Sequence, residues 1–397
     1  MLLPAKFALS LAVLAAGSLA GQDNEDLGSV LAGNEDLTQF YGLIKIVAPS
    51  DKAMANIAYT ALQPLWDPED RDKTMPILQY HILGGAVSVA ALKVGPTYLE
   101  TSRLTSPALT NVTAGQGVLV SKQRDAVVLT SGQGARCSVV QADIPFAGGL
   151  VQVVDNLLVP PTRVAAMADA FRLTSCLGSL HAARMMPDAA DRKNVTILAP
   201  HDDAYSIVGG TLRRLDARAL ARVMGYHIIP GQVLSLARLA DGSRHATLAV
   251  GARVAVRQHA NSKFVDAARI VQPDILIANG VMHIIGSVLN PDAAADAAVP
   301  DPRLATQAPV FAVSTVSGVF ASALPCTADC PASTTASGSA GGGGPSEAAP
   351  ATTTSATATA GPSLRSRTSH AAAPRCTAHL VVAAVGMVGL GAGVAWM

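Results

Sequence analysis

Aromatic and charged side chains are both scarce: of 397 residues, 4% are Phe, Trp or Tyr and 14% are Asp, Glu, Lys or Arg. Lys and Arg number 29 against 28 Asp and Glu, so the net charge is +1. That balance removes the long-range attraction of a nucleic-acid binder or a polybasic membrane-surface protein. Catalytic signatures are missing too. The folded part contains no HExxH, paired-histidine ligand spacing, GxSxG, Walker loop, dinucleotide fingerprint or kinase set. No catalytic residue, metal or cofactor is therefore predicted, and the chain reads as non-enzymatic. What the chain has in abundance is apolar residues, 50% of the total, with a mean hydropathy of +0.34. The length allows two or three domains.

The apolar residues gather at the ends. Residues 1–20 carry Lys6, an apolar run from Phe7 to Ala16, and small residues at Ser18 and Ala20. This is the layout of a signal peptide cleaved near Ala20, the alternative being a buried N-terminal helix. Residues 379–397 form a hydrophobic tail, uncharged from Leu380 onward, with no Lys or Arg beyond Trp396. A polar, small-residue spacer precedes it. Together they fit a glycosylphosphatidylinositol signal, with Ser369 the candidate attachment residue about 8–12 residues upstream. A retained single-span helix is the alternative, with Gly389 and Gly393 as its packing face. Residues 293–378 lose periodicity and turn rich in Ser, Thr, Pro and Gly, which predicts a disordered, O-glycosylated stalk and spacer. Stiffened by sugars, Ser333–Ser369 would reach on the order of 100 Å. The predicted location is the extracellular face of the plasma membrane, with a vacuolar or other endomembrane lumen as the alternative.

Between the ends lies a repeat. Ile46-Val-Ala-Pro49-Ser-Asp51 matches Ile197-Leu-Ala-Pro200-His-Asp202, an offset of 151 (200 − 49). Tyr80-His81 matches Tyr226-His227, an offset of 146 (226 − 80). The run from Gly149 to Pro160 matches Gly280 to Pro291, an offset of 131 (280 − 149). The offsets shrink, so copy one carries extra loop residues. Copy one spans 21–161 and copy two 162–292. In each, a strand ends at proline ahead of a capped helix, and a buried strand closes the copy. Strands are predicted at Gly117–Lys122, Ala126–Thr130 and Arg253–Arg257. Helices are predicted at Leu27–Leu43, Val164–His181 and Leu215–His227. Helices in front and strands behind indicate an α+β domain.

These boxes, together with Asn279-Gly280-Val-Met-His283-Ile in copy two, resemble the fasciclin-like domain over Asp23–Pro161 and Val164–Asp292. The resemblance implies two tandem domains, each a β-strand wedge capped by helices, in a secreted, surface-anchored adhesion or matrix protein. The copies depart from the pattern in places. Met54 stands where copy two has Tyr205, Gln152 where it has His283, and Asp155 where it has Gly286; the segment between Tyr41 and Val47 is short. In family members that bind integrin-type receptors, an Asp-Ile pair precedes the third box. By that likeness Asp274-Ile275, and Asp143-Ile144 in copy one, are candidate adhesion residues, the carboxylate expected to be exposed. The bland reading, that Asp caps a turn and Ile fills the core of every such domain, is preferred over any specific receptor role.

Other residues weigh towards structure. His81 and His227 read as buried, satisfied histidines beside Tyr80 and Tyr226, and Asp202-Asp203 as helix-capping residues. Cys326 and Cys330 are a candidate disulfide. Cys137 and Cys176 sit in different copies, as buried thiols or an interdomain bridge. Asn111-Val-Thr113 and Asn194-Val-Thr196 are N-glycosylation triplets. The predicted function is non-enzymatic adhesion to cell-surface, matrix or cell-wall proteins or glycans, with the membrane reached through the tail. A small-molecule or glycan-binding surface module is the alternative.

Overall fold

The structure is a computed structural model that describes residues 44–325, apart from 86–87, 125, 147–148, 295–298, 302 and 305. The expected signal segment, the expected helix over Leu27–Leu43, Cys326, Cys330, Ser369 and the hydrophobic tail lie outside the described residues.

In copy one the order is β1 (Ile44–Pro49), α1 (Asp51–Ala55), α2 (Arg71–Tyr80), β2 (Ile82–Gly84), β3 (Thr97–Thr101), β4 (Gly117–Gln123), β5 (Ala126–Thr130), β6 (Arg136–Phe146) and β7 (Gly149–Val154). In copy two, α3 (Val164–Ala170), α4 (Thr174–Ala182) and α5 (Met186–Ala190) precede β8 (Val195–Pro200). Then follow α6 (Asp202–Leu212), α7 (Ala217–Tyr226), β9 (Ile228–Ile229), β10 (Arg244–Ala246), β11 (Arg253–His259), β12 (Ser262–Val265), β13 (Ala268–Ile277) and β14 (Gly280–Ile285). The prolines end strands β1 and β8, where no further ladder donor is needed. Ser50 Oγ then caps α1 by accepting from Ala53 N, and His201 Nδ1 caps α6 by accepting from Ala204 N. The expected helix over Val164–His181 is instead two. Arg172 turns left-handed at φ 55°, and the break lets Leu173 bury itself at 1% exposure.

Each copy builds one seven-stranded sheet, ordered β2-β1-β7-β6-β5-β4-β3 and β10-β11-β12-β13-β14-β8-β9. Read from opposite ends, these are the same topology. The outer strands of the repeat pair in parallel, β1 with β7 and β8 with β14, and all other pairs are antiparallel. Leu83 bridges to Ser102 beyond β3, and Leu248 N donates to Ile228 O, so both sheets curl towards a barrel. Val47, Leu83, Val118 and Val120 line the first interior. In copy two, α4, α6 and α7 pack against Ile197 and Met282. Apolar alternation sets these faces, since a one-residue slip would turn each strand inside out.

The stalk expected from residue 293 is placed too early by the sequence. Residues 311–320 lie along copy two: Ser314 N donates to Ile207 O, Gly210 N to Ser314 O, and Val316 N to Ser206 O. Val319 is 1% exposed, and a Cβ on Gly209 would sit 2.2 Å from its Cγ2. The glycine pair in α6 is what admits this strap. Phe311 and Phe320 of the strap also pack against the copy-two core.

Candidate functional site

The Asp-Ile pairs occupy matching places. β6 and β13 each shift register twice, between Val139 and Ile144 and between Ile270 and Ile275. Such bulges re-aim side chains. Within them Asp143 and Asp274 adopt left-handed backbone, at φ 54° and 60°.

The expected exposure of these carboxylates is corrected for copy two. The Asp274 side chain is 9% exposed and Ile275 is in the core. Asp274 Oδ1 accepts Leu236 N at 2.7 Å, and Asp274 N donates to His283 Nδ1 at 3.1 Å. His283 is fully buried, and its Nε2 meets Leu234 O at 2.8 Å, which fixes the neutral Nε2–H tautomer. Burial pushes the Asp274 carboxyl up and the His283 imidazole down, each partly offset by the other. Lys263 Nζ donates to Leu236 O and Leu239 O, both at 2.6 Å, and so holds the same loop. Asp274 thus pins residues 234–239 rather than presenting itself to a partner.

Asp143 performs the same task in copy one. Its carboxylate accepts Val89 N at 2.9 Å and Ala90 N at 3.2 Å. Gln152 replaces the histidine, taking Asp143 N on Oε1 at 3.0 Å and donating Nε2 to Oδ1 at 2.7 Å. Burial raises the Asp143 carboxyl, but its donors outweigh that and hold it below the ordinary value. Ile144 is half-buried. Nearby, Lys45 is buried and meets both Glu100 oxygens at 2.9 Å. No sequence signal singled out this ion pair. Thr196 takes the place of Lys45 in copy two, its hydroxyl donating to Gln232 O and accepting Leu234 N.

The Tyr-His boxes are structural pins. His81 Nδ1 lies 2.8 Å from Ile77 O, and Nε2 accepts Leu158 N at 2.9 Å; His227 repeats this with Val223 O at 2.8 Å and Leu289 N at 3.0 Å. Burial lowers both imidazoles to about 4. Tyr80 OH donates to Gly117 O, and Tyr226 OH to Asp266. Asp202 caps from outside its own helix, accepting Ser175 N at the start of α4. Asp51 follows the Ser50 cap, and Gly280 approaches Val195 so closely that a Cβ would lie 1.9 Å from its carbonyl oxygen. Cys137 and Cys176 are free, buried thiols in separate cores, raised to about 12 by burial. Among the described residues no group of three or more His, Cys, Asp or Glu is placed to hold a metal ion.

The largest unforeseen feature joins the copies. Between Tyr80 and Gly117 copy one holds ten more residues than copy two between Tyr226 and Arg253, the offset falling from 146 (226 − 80) to 136 (253 − 117). The excess lies in the loop after β3, residues 102–116, against 247–252 in copy two. The loop closes on itself through Ser102 N and Oγ, which both donate to Gln116 O. Gly115 permits that closure, since a Cβ there would lie 1.9 Å from Ser102 O and its φ is 101°.

From this base the loop reaches copy two. Asn111 N donates to Ala278 O at 2.7 Å, Thr110 Oγ1 to the same oxygen at 3.0 Å, and Gln116 Nε2 to Ile277 O at 2.9 Å. Asn111 Nδ2 donates to Asp191 O, while Thr113 pairs with Asn194. Except for Asn194 Nδ2, which donates to Thr113 Oγ1, the donors belong to copy one, and their acceptors cluster at the β13–β14 turn and the approach to β8. Both copies fall within one compact unit. A cleft of about 480 Å³ opens beside the seam, lined by Leu65, Leu109, Pro160, Pro161, Arg163 and Asp191 among others. The shrinking offsets were the only trace of this loop in the sequence.

This doubled near-barrel with its helical caps defines a tandem, two-domain protein. The chain belongs to the fasciclin domain family, whose model matches residues 26–160 and 171–291. It is 28% identical over 235 residues to a fasciclin-like arabinogalactan protein of Arthroderma benhamiae, covering 59% of this chain and 55% of that one. It is 26% identical over 256 residues to the fasciclin-like arabinogalactan protein elcF of Phaeosphaeria nodorum, covering 63% and 78%. The chain thus spans little more than half the length of the Arthroderma relative. A solved FAS1 domain pair from the insect cell adhesion molecule fasciclin I aligns at 16% identity over 64% of this chain and 91% of that one, with a TM-score of 0.31.

Proposed function

We propose that the protein is a non-enzymatic adhesion head that binds cell-surface, matrix or cell-wall proteins or glycans. The observation that carries this reading is the seam. Six hydrogen bonds lock two fasciclin domains into one body, so both faces are presented in fixed register. A fixed pair raises effective concentration at a second contact without new chemistry. In this reading the Ser/Thr-rich segment is a glycosylated stalk, and the tail tethers the head through a lipid anchor at or near Ser369, or as a single span. Among the described residues no helix is long and apolar enough to cross a membrane, and the tail lies outside them. Asp274 and Asp143 act through the loops they hold, residues 234–239 and 88–91, not by direct contact.

The test is release from intact cells by a phosphatidylinositol-specific phospholipase, followed by attachment of the released head to cells and wall fractions. Release with retained attachment is expected. A released, folded head that attaches to neither sinks the adhesion reading; failure of release sinks only the lipid anchor. A second reading, a small-molecule or glycan site, is favoured by the 480 Å³ cleft, where Pro and Leu face Arg163 and Asp191. Saturable binding of a small ligand, lost on mutation of Arg163, would distinguish it.

A further inference from the structure

The two glycosylation triplets are cross-paired on the seam. Thr113, which completes the Asn111 triplet, donates its backbone N–H to Asn194 Oδ1 at 2.9 Å, and its hydroxyl accepts from Asn194 Nδ2 at 2.8 Å. Thr196, which completes the Asn194 triplet, is fully buried, its hydroxyl committed to Gln232 O and Leu234 N. Asn194 is half-buried and held at φ 55° at the entry to β8.

The geometry of that contact decides what Asn194 can carry. Both ends of its amide meet one residue. A two-point contact of this kind uses the Nδ2 hydrogen on the same side as Oδ1, because only that N–H runs alongside the C=O. Attachment of a glycan joins Nδ2 to C1 of an oligosaccharide carried on a lipid pyrophosphate. An Nδ2–H bond and the C1–O bond break, and the pyrophosphate leaves with the proton. The product is a secondary amide, whose favoured trans form sets C1 on the Oδ1 side. The sugar would therefore occupy the position that points at Thr113 Oγ1. The Asn111 side chain differs: it meets copy two through a single Nδ2 bond, to Asp191 O, and its Oδ1 takes no part in the seam.

We propose that glycan attachment at Asn194 and closure of the seam exclude one another. In the closed head the Asn194 side chain is the interdomain fastener; only an opened head carries a sugar there. Glycosylation during secretion would then sort the chain into a rigid and a hinged form. The inference does not depend on the adhesion reading.

The test uses the full chain from a glycosylating secretory host, with its glycans trimmed enzymatically to one N-acetylglucosamine so that their bulk does not confuse size. Site occupancy is read by peptide mass spectrometry in the wild type and in Thr110→Val/Gln116→Ala, which loses two seam donors but keeps both triplets. Asn194 occupancy is expected to rise at least threefold in the variant while Asn111 occupancy holds. Wild-type molecules bearing the sugar on Asn194 should show a larger radius of gyration in X-ray scattering and faster trypsin cleavage at Arg163. Equal Asn194 occupancy in the two chains, zero included, overturns the proposal. So does an occupied fraction as compact as the unoccupied one. Should the double variant misfold, Asn194→Ala serves instead: it is expected to be as open as the occupied fraction, and wild-type compactness would overturn the fastener.

Discussion

Copy one and copy two hold the same aspartate in the same bulge with different neighbours. Gln152 both donates to and accepts from Asp143, and neither of its groups titrates. His283 accepts from Asp274 N and can take a proton against a carboxyl 4.0 Å away. Beside them, copy one buries a Lys45–Glu100 pair where copy two has Thr196 satisfied by backbone. The carboxylate-to-loop bond is common to both, so the fold demands it. What surrounds the carboxylate is free to vary, and that freedom is where the copies acquire different chemistry.

The largest expected difference is in copy one. Lys45→Ala leaves Glu100 desolvated without its partner, and breaking a buried pair on one side costs about 3–5 kcal/mol. Trp66 is the only tryptophan in the described head, so fluorescence during urea unfolding should report an early transition of copy one, while copy two unfolds as before. Lys45→Thr with Glu100→Leu, which imitates the uncharged solution of copy two, should recover most of the loss. An equal loss in the double variant would mean that packing, not the charge, is what Lys45 supplies.

Acidification separates the copies next. His81 and His227 sit at about 4 when folded, below the unfolded value near 6.5. Between these values the unfolded chain binds the proton first, so stability falls with pH, by roughly 3 kcal/mol per histidine at pH 4. That loss is shared. His283 is lowered as well, and so is His245; both belong to copy two alone, so as pH falls below the unfolded value near 6.5 copy two should lose stability more steeply than copy one. The raised Asp274 carboxyl works the other way, stabilising the folded form as pH drops further. His283→Gln should narrow the difference between the two slopes, His245 supplying what is left of it. Parallel slopes in the wild-type chain would refute the assignment.

The sequence made the repeat, the strand-proline-helix boxes and the buried histidines legible because each is local. A proline ends a strand wherever it falls, and a Tyr-His pair at a helix end has few ways to satisfy its ring. The exposure of Asp274 was not legible, since it depends on two register shifts that no periodicity records. Nor was the strap: Phe311, Val319 and Phe320 carry no periodicity that assigns them to a strand or helix, and their partners, the glycines of α6, lie about a hundred residues away. The seam left a shrinking offset but no motif, because its bonds run from a loop to carbonyl groups, which are alike in every residue. The Lys45–Glu100 pair was equally silent, because its members stand 55 residues apart in the chain.

The smallest expected effect concerns that seam. Gln116 is 1% exposed, and its Nε2 reaches Ile277 O while its Oε1 accepts Gly117 N. Gln116→Ala leaves a buried carbonyl unpaired, a loss of about 1–2 kcal/mol. It falls on the coupling between copies more than on either core, because neither hydrophobic cluster contains the residue. The early and late unfolding transitions should therefore move apart, with the midpoint of the more stable copy nearly unchanged. Copy two has only residues 247–252 in the equivalent place, where Thr247 bonds back to Ala252. Thr247→Val should accordingly shift copy two alone and leave the coupling intact. If both substitutions widened the gap equally, loop closure within each domain, and not the bond across the seam, would be the source of coupling.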